Sequence, residues 1–509
     1  MVETTNGKVR GTVQKGAYVF KGIRYGDSTA GQNRFMPPLP PKKWAGIQDA
    51  VTWGASAPQL VTALTTDPFF SWYAEIQDVN EDCLFLNLFT SGFRDLKRPV
   101  MVWLHGGGWR ECAGTAPGFN GAALAQQQDV VVITLNHRLN AFGFLQLEGS
   151  DDRFADSGNA GMLDIVMALH WVRENVAAFG GDPDNVTLFG ESGGASKIAA
   201  LLAMPAAKGL FHKAIMQSSG GGLRLASQED AARLAGNLAQ AMGQSVLKGE
   251  ELQKLPMEAL LTGLKAHPGM FRSVIDGRNF EVDPFYPTGP ALSAHVPVMV
   301  GTTHTETTYH LRFGSDFLQL QYSDVKRRLS RFFMTDDLRT QEIIEAYRAA
   351  YPDRGPCEIL TTVTTDFMFK RTASRIACLQ SASATAPVYA YVFDRETPVE
   401  GGHLHSPHTS EVPFIFGTTT EAEAHVGGGG DIGAMTECMM TTWAAFARQG
   451  DPNNATLPLW KPFKENDRQT MVLNVDSHLA VDPGAQARAA LEDFPPYGYS
   501  YSIEAFVKN

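Results

Sequence analysis

Cysteine and charged residues are scarce in this sequence, and basic residues form no blocks. The five cysteines are odd in number and show no C-x-x-C spacing, which argues against a zinc ribbon or a thioredoxin-like motif and leaves at least one thiol free. Charged residues make up only 19% of the 509 residues, and the formal net charge is −11. A net acidic chain without basic blocks is a poor candidate for binding nucleic acid or an anionic membrane surface.

Long apolar runs are also missing. No stretch approaches the ~20 apolar residues that a membrane-spanning helix requires, so we expect no membrane span. The first residues, Met1 to Gly7, lack the basic and apolar regions of a signal peptide. We therefore expect a soluble protein, cytoplasmic unless a signal peptide was removed, in which case it is periplasmic or secreted.

Apolar residues are plentiful, at 44% of the chain, which suffices for a large core and excludes disorder as the general state. Short β-rich runs alternate with helical patterns, and this order predicts an α/β protein with a largely parallel sheet. The predicted strands are near-continuously apolar, as strands covered on both faces must be: residues 99–104, 130–135, 186–189, 213–217, 297–301 and 388–393. Helical patterns cover residues 160–179, 193–205, 228–243, 323–350 and 434–449. Because no repeat or linker is visible, we expect a single domain over residues 1–509.

A G-x-S-x-G motif with Ser192 at its centre lies between a predicted strand and a predicted helix. This context is typical of a nucleophile elbow, a strained turn that exposes a serine hydroxyl at a helix N-terminus. Small residues at Gly190 and Gly194 allow the strand and the helix to approach closely. An ordinary glycine-rich turn is the alternative, and the flanking strand and helix favour the nucleophile.

The segment His105-Gly106-Gly107-Gly108-Trp109 directly follows another predicted strand. Glycines let backbone N–H groups approach a substrate without an intervening Cβ, and such groups stabilise the oxyanion of an acyl-transfer intermediate. We expect Gly107 and Gly108 to donate, with Gly193, the residue after the nucleophile, as the third donor. Without a nucleophile elbow the same triplet would indicate only a flexible turn.

A serine nucleophile needs a base, and the base needs an orienting acid. A histidine-containing segment, residues 401–414, follows the strand predicted at 388–393, and Glu306 lies just beyond the strand predicted at 297–301. The order Ser192, Glu306, His408 is therefore consistent with the chain order of α/β-hydrolases. His403, His405 and His408 could instead ligate zinc, but their segment places no carboxylate within the cluster, and a metal would leave the elbow unexplained. We expect neither a metal nor a cofactor.

Aromatic residues near these motifs suggest a largely apolar substrate pocket. The aromatic candidates are Phe69, Phe70, Trp72, Tyr73, Trp109, Tyr309 and Phe313. Arg110 and Arg312 add two cationic candidates, for which a solvent-exposed guanidinium is the alternative. The four aromatics between 69 and 73 lie in a segment without clear periodicity, for which a packed surface loop is the alternative.

Taken together, these motifs resemble the type-B carboxylesterases, also called the carboxylesterase/lipase or cholinesterase-like family. The similar segments extend over nearly the whole chain and include residues 81–88 (EDCLFLNL), 105–109 (HGGGW), 136–139 (NHRL), 158–195, 209–220, 300–306, 408–413 and 446–453. The resemblance implies an α/β-hydrolase fold, with a mostly parallel central sheet, helices on both faces, and helical or loop insertions over the active site.

The resemblance also implies roles for individual residues. It places the catalytic triad at Ser192, Glu306 and His408, and it selects His408 among its neighbours because Glu411 lies three residues beyond it. The oxyanion donors fall on Gly107, Gly108 and Gly193. Glu191 corresponds to a buried acid before the nucleophile, and Ser218 corresponds to a serine near the triad.

This sequence departs from the family pattern at three positions. Ala57 stands where a cysteine is common, so Cys83 lacks its usual disulfide partner, which points to a bacterial member. Gly193 replaces a usual alanine, and Thr307 replaces a usual glycine. The resemblance implies hydrolysis of a small-molecule carboxylic ester through an acyl-enzyme. An amidase, a lipase or a non-catalytic binding protein on the same scaffold are the alternatives, and the sequence identifies neither the acyl and alcohol groups nor the oligomeric state.

Overall fold

The structure, a computed structural model, describes residues 1–76, 78–93, 97–147, 152–267, 269–314, 316–383, 385–498 and 503–507. Fourteen strands lie within these ranges: β1 Val2–Glu3, β2 Lys8–Arg10, β3 Thr12–Gln14, β4 Ala17–Arg24, β5 Ile47–Asp49, β6 Phe85–Thr90, β7 Arg98–Leu104, β8 Val131–Leu135, β9 Gly181–Glu191, β10 Lys213–Gln217, β11 Val298–Thr303, β12 Val388–Phe393, β13 Gln469–Leu473 and β14 His478–Val481. All six strands predicted from the sequence are present.

The α-helices in the same ranges are α1 Ala63–Thr66, α2 Ser71–Ala74, α3 Ala122–Gln128, α4 Asn140–Phe144, α5 Ala160–Asn175, α6 Gly193–Ala203, α7 Gln228–Ala241, α8 Gly249–Leu252, α9 Met257–Ala266, α10 Thr308–Leu311, α11 Tyr322–Phe333, α12 Asp337–Ala350, α13 Pro356–Thr365, α14 Arg371–Ser383, α15 Val412–Phe416, α16 Glu423–Val426, α17 Ile432–Gln449, α18 Ala485–Arg488 and α19 Glu504–Val507. A five-residue π-helical turn, Asp366–Lys370, joins α13 to α14. No helix among the described residues is both long enough and apolar enough to cross a membrane.

Eleven of the described strands form one sheet in the order β14-β13-β12-β11-β10-β9-β7-β8-β6-β4-β3. The pairings from β13 through β8 are all parallel, whereas β14, β6, β4 and β3 pair antiparallel at the two sides. Strands β1, β2 and β5 form a separate small sheet. The predicted α/β architecture with a mostly parallel sheet is therefore confirmed.

The central strands are buried on both faces, and successive residues pack alternately into two different hydrophobic clusters. On β7, for example, Val100 and Val102 belong to one cluster, while Met101 and Trp103 belong to the other. Helices α5 and α6 cover the first face, and α3, α15 and α17 cover the second. This two-sided burial explains why the strands are near-continuously apolar in sequence.

One helical prediction is wrong in its extent. Residues 323–350 form two helices, α11 and α12, instead of one. Met334 adopts a left-handed conformation with φ 54° and ends α11, and the Asp336 side chain accepts a hydrogen bond from the Arg339 amide to cap α12. A uniform apolar periodicity hides this break because the two helices present their apolar sides to the same core.

Candidate active site

Ser192 lies at the sharp turn between β9 and α6. Its backbone has φ 55° and ψ −118°, a strained conformation for a residue with a side chain. The turn depends on small neighbours: a Cβ at Gly194 would lie 1.9 Å from the Leu104 carbonyl oxygen, and one at Gly190 would lie 2.7 Å from the same atom. The Ser192 amide donates to the carbonyl of Gln217 at 2.8 Å, which fastens the turn to the end of β10.

The glycine loop after β7 lies beside this turn. Gly107 and Gly108 have φ values of 75° and 65°, in the left-handed region where glycine is free of strain. Both glycines line the same cavity as Ser192 and Gly193. Within the described residues, the amides of Gly107, Gly108 and Gly193 are not donated to any protein acceptor. Three unused N–H groups therefore lie around the serine.

His408 and Glu306 are in direct contact. Nδ1 of His408 lies 2.5 Å from Oε2 of Glu306, and the other carboxylate oxygen accepts a hydrogen bond from the Thr303 amide at 2.9 Å. The loops that carry them are tied together, because the Thr305 amide donates to the Ser406 carbonyl at 3.0 Å and the Ser406 amide donates to Thr305 Oγ1 at 2.9 Å. The carboxylate thus holds the imidazole in one orientation.

The second imidazole nitrogen, Nε2 of His408, faces Glu191 at 3.0 Å from Oε1. The other oxygen of Glu191 accepts a hydrogen bond from the Tyr73 hydroxyl at 2.6 Å. Among the described residues, no hydrogen bond joins Ser192 Oγ to His408, although both side chains line one cavity. In enzymes without substrate such contacts are often long and tighten in the substrate complex.

The buried charges in this cluster shift one another's proton affinities. Burial by itself lowers the pKa of His408, but the carboxylates of Glu191 and Glu306 outweigh it and raise that pKa to about 9. Burial raises the pKa of Glu191 to about 7. Burial, reinforced by Glu191 and Glu306, likewise raises the pKa of Glu411 to about 8. A positive imidazolium is therefore well stabilised here, which is the state that a general base reaches after it takes a proton.

A cavity of about 150 Å³ opens above Ser192. Four of the predicted substrate-binding residues line it, namely Phe70, Tyr73, Tyr309 and Arg110. The cavity wall has more apolar than polar surface, and its further side chains include Glu111, Met270, His310, Met368, Phe369, Thr409 and Tyr497. The site therefore suits an apolar group of modest size.

The other four predicted substrate-binding residues do not line this cavity. Phe69 and Trp72 are buried and pack against His425. Trp109 is buried edge-on against Phe144. Phe313 is 46% exposed at the protein surface. The segment around residues 69–73 is packed, and only some of its aromatic rings reach the cavity.

Ser218 and the remaining histidines lie outside the direct contacts of His408. Ser218 follows β10 with φ 53°, and its buried hydroxyl has no hydrogen-bond partner in the described part of the chain. His403 and His405 line a different cavity, together with His304, whereas His408 lines the cavity of Ser192. The three histidines considered as zinc ligands, at 403, 405 and 408, therefore do not converge. In the described ranges, no cluster of three or more metal-ligating side chains is present.

Sequence reasoning missed several residues of the cavity wall. Met368 and Phe369 lie on the π-helical turn between α13 and α14, and Tyr497 comes from near the C-terminus. No motif marks these positions, because tertiary packing alone brings them to the serine. Lys197 was missed as well, although a signal existed: it is the sole charged residue of α6 (GGASKIAALLA).

The fold and this cluster together are those of a serine hydrolase of the α/β-hydrolase fold. Comparison with known proteins gives the family. The family model described as "Carboxylesterase family" matches residues 1–490, and the chain belongs to that family.

Similar proteins cover nearly the full chain. Para-nitrobenzyl esterase of Bacillus subtilis (strain 168) is 35% identical, over 98% of this chain and 99% of its own. Phenmedipham hydrolase of Pseudarthrobacter oxydans is 33% identical, over 93% and 94%. The crystal structure of a Geobacillus stearothermophilus carboxylesterase at pH 6.2 superposes with a TM-score of 0.83 at 35% identity, covering 96% of this chain and 99% of that one.

Proposed function

We propose that Ser192 is the nucleophile of a two-step ester hydrolysis in which His408 is the base and Glu306 orients it. His408 takes the hydroxyl proton while Ser192 Oγ bonds to the ester carbonyl carbon, and the carbonyl electron pair moves onto its oxygen. His408 then returns the proton to the departing alcohol. Water repeats the sequence on the acyl-enzyme, and the carboxylic acid leaves.

The proposal assigns the oxyanion to the amides of Gly107, Gly108 and Gly193. These three unused donors surround the serine in one cavity, and preorganised donors of this kind lower the barrier by about 3 kcal/mol each. Glu191 lies 3.0 Å from His408 Nε2, where its negative charge stabilises the imidazolium. The observation that carries the proposal is the contact between His408 and the buried Glu306 carboxylate in the cavity that holds Ser192.

For the substrate, we propose an uncharged ester with one compact aryl or benzyl group. A cavity of about 150 Å³ matches the apolar cavity size that accommodates one benzene ring. The para-nitrobenzyl esterase relative is named for a substrate of this kind. The assignment of residues 1–509 to one domain also remains part of this proposal.

The experiment is Ser192→Ala, assayed on a para-nitrobenzyl ester and a para-nitrophenyl ester. We expect turnover to fall by roughly four orders of magnitude or more. An organophosphorus fluoride should label the wild type at Ser192 and leave the variant unlabelled, as peptide mass mapping would report. Near-normal turnover by the variant contradicts the proposal. Parallel assays with an anilide and an emulsified triglyceride separate an esterase from an amidase or a lipase.

A further inference from the structure

Lys197 is a buried lysine close to the oxyanion loop. It lies on α6, one turn beyond Ser192, and is 0% exposed. Burial lowers the pKa of its amino group to about 7, and Nζ lies 5.6 Å from the centre of the Trp109 ring. Burying a lysine amino group is costly unless it is hydrogen-bonded, so its contacts with the backbone call for a functional explanation.

The Lys197 amino group bridges both ends of the glycine loop. Nζ donates to the carbonyl of His105 at 3.2 Å and to the carbonyl of Gly108 at 3.0 Å. The loop between these carbonyls carries the Gly107 and Gly108 amides, and α6 itself begins with Gly193. One side chain therefore joins the two segments that supply all three proposed oxyanion donors.

The space around Gly193 shows that the glycine loop and the start of α6 are in close contact. A Cβ at this position would lie 1.9 Å from the Gly108 carbonyl oxygen, which is the oxygen that Lys197 binds. The glycine found here in place of the alanine usual in the type-B carboxylesterases thus makes room for a carbonyl drawn toward α6.

The titratable side chains near Lys197 are uncharged. His105 and His137 stack at 5.0 Å, and burial, together with Lys197, lowers the pKa of both imidazoles, so they stay neutral. Burial raises the pKa of the Cys112 thiol, which also stays neutral.

We propose that Lys197 is a positioning residue that holds the oxyanion loop against α6, through hydrogen bonds to the His105 and Gly108 carbonyls. This inference rests on the proposed function. Lys197 should stabilise the transition state more than the bound substrate, because the loop geometry matters most when negative charge develops on the substrate oxygen. A misplacement of about 1 Å in such a site costs roughly a hundredfold in rate.

The test compares Lys197→Met with a matched control, Lys213→Met. Lys213 is also buried, but it lies at the start of β10, whereas the Ser192 turn is bonded to the end of that strand at Gln217. Its amino group donates to the Asn185 side chain. Active sites are counted by stoichiometric labelling with an organophosphorus fluoride, so that loss of folded protein does not enter the rates. We expect kcat per active site to fall about tenfold to a hundredfold in the Lys197 variant with KM changed less than threefold, and to stay unchanged in the control.

A trifluoromethyl ketone supplies a readout that a merely structural role would not move. Ser192 Oγ adds to its carbonyl and places a negative oxygen among the three amides, so its inhibition constant should rise by the same factor as kcat/KM falls. Lys197→Met with wild-type kcat per site overturns the inference, and so does a lowered kcat with unchanged inhibition by the ketone.

A second variant keeps the test valid if Lys197→Met does not fold. Gly193→Ala pushes on the same Gly108 carbonyl, and we expect about a tenfold loss of kcat with the same rise in the ketone's inhibition constant. Wild-type values for this variant contradict the close packing on which the inference depends. Failure of the organophosphorus fluoride to label wild-type Ser192 would instead refute the proposed function itself.

Discussion

Replacing Glu191 by glutamine should move the acid limb of the kcat/KM profile to lower pH. The base must be neutral to take the serine proton, so activity rises with pH through the pKa of His408 in the free enzyme. That pKa is raised to about 9, and the charge of Glu191 is the largest single effect that raises it. Removing the carboxylate charge lowers the pKa of His408, and the neutral imidazole then persists at lower pH.

The size of the shift follows from the 3.0 Å separation of His408 Nε2 and Glu191 Oε1. Two full charges at this distance in an effective dielectric of about 20 interact by about 5 kcal/mol. Burial also raises the pKa of Glu191 to about 7, so part of this energy is spent on keeping the carboxylate ionised. Single charge partners in proteins shift a pKa by about 1 to 3 units, and we expect the limb to move by about 1 to 2 units.

The assay is kcat/KM for a para-nitrophenyl ester between pH 5 and 10, normalised to titrated Ser192. The plateau should also fall, because the imidazolium formed in the transition state loses a partner. Glu411→Gln is the matched control: Glu411 contributes less to the pKa of His408 than Glu191 does, so its removal should shift the limb in the same direction by a smaller amount. An acid limb that stays in place or moves to higher pH in Glu191→Gln would refute the reasoning.

Two further changes test the cavity and the core. Phe369→Ala removes a ring that lines the cavity, 5.0 Å from the His408 imidazole. It should raise kcat/KM for esters with bulkier acyl groups relative to acetate, and an unaltered preference across an acyl-chain series would contradict the assignment of this wall. Asp164→Asn leaves the buried guanidinium of Arg138 without its carboxylate partner, which lies 2.6 Å away. This should cost about 3–5 kcal/mol of stability, seen as a lower thermal midpoint with unchanged kcat per titrated site, whereas an unchanged midpoint would contradict it.

The catalytic motifs were readable in the sequence because local geometry depends on local residues. The turn at Ser192 requires small residues at Gly190 and Gly194, and the loop at Gly107 requires a left-handed backbone. Such requirements leave a motif at fixed spacing. The central strands were readable for a similar reason, since burial on both faces excludes polar residues along their whole length. The break between α11 and α12 was not readable, because it interrupts the chain without interrupting the apolar pattern.

The sequence by itself determined the fold class and predicted the proposed nucleophile, its proposed glycine donors and the loops that carry the proposed acid and base, because each of these depends on a short segment and its place in the strand order. Only the tertiary structure decided which aromatic rings reach the serine and which fill the core, since Phe70 and Phe69 are neighbours in sequence yet only Phe70 lines the cavity. The tertiary structure also turned His408 Nε2 toward Glu191 and set Lys197 beneath the oxyanion loop. These contacts join segments up to 217 residues apart in the chain (408 − 191), and no local pattern encodes a distance between side chains that meet only after the sheet has formed.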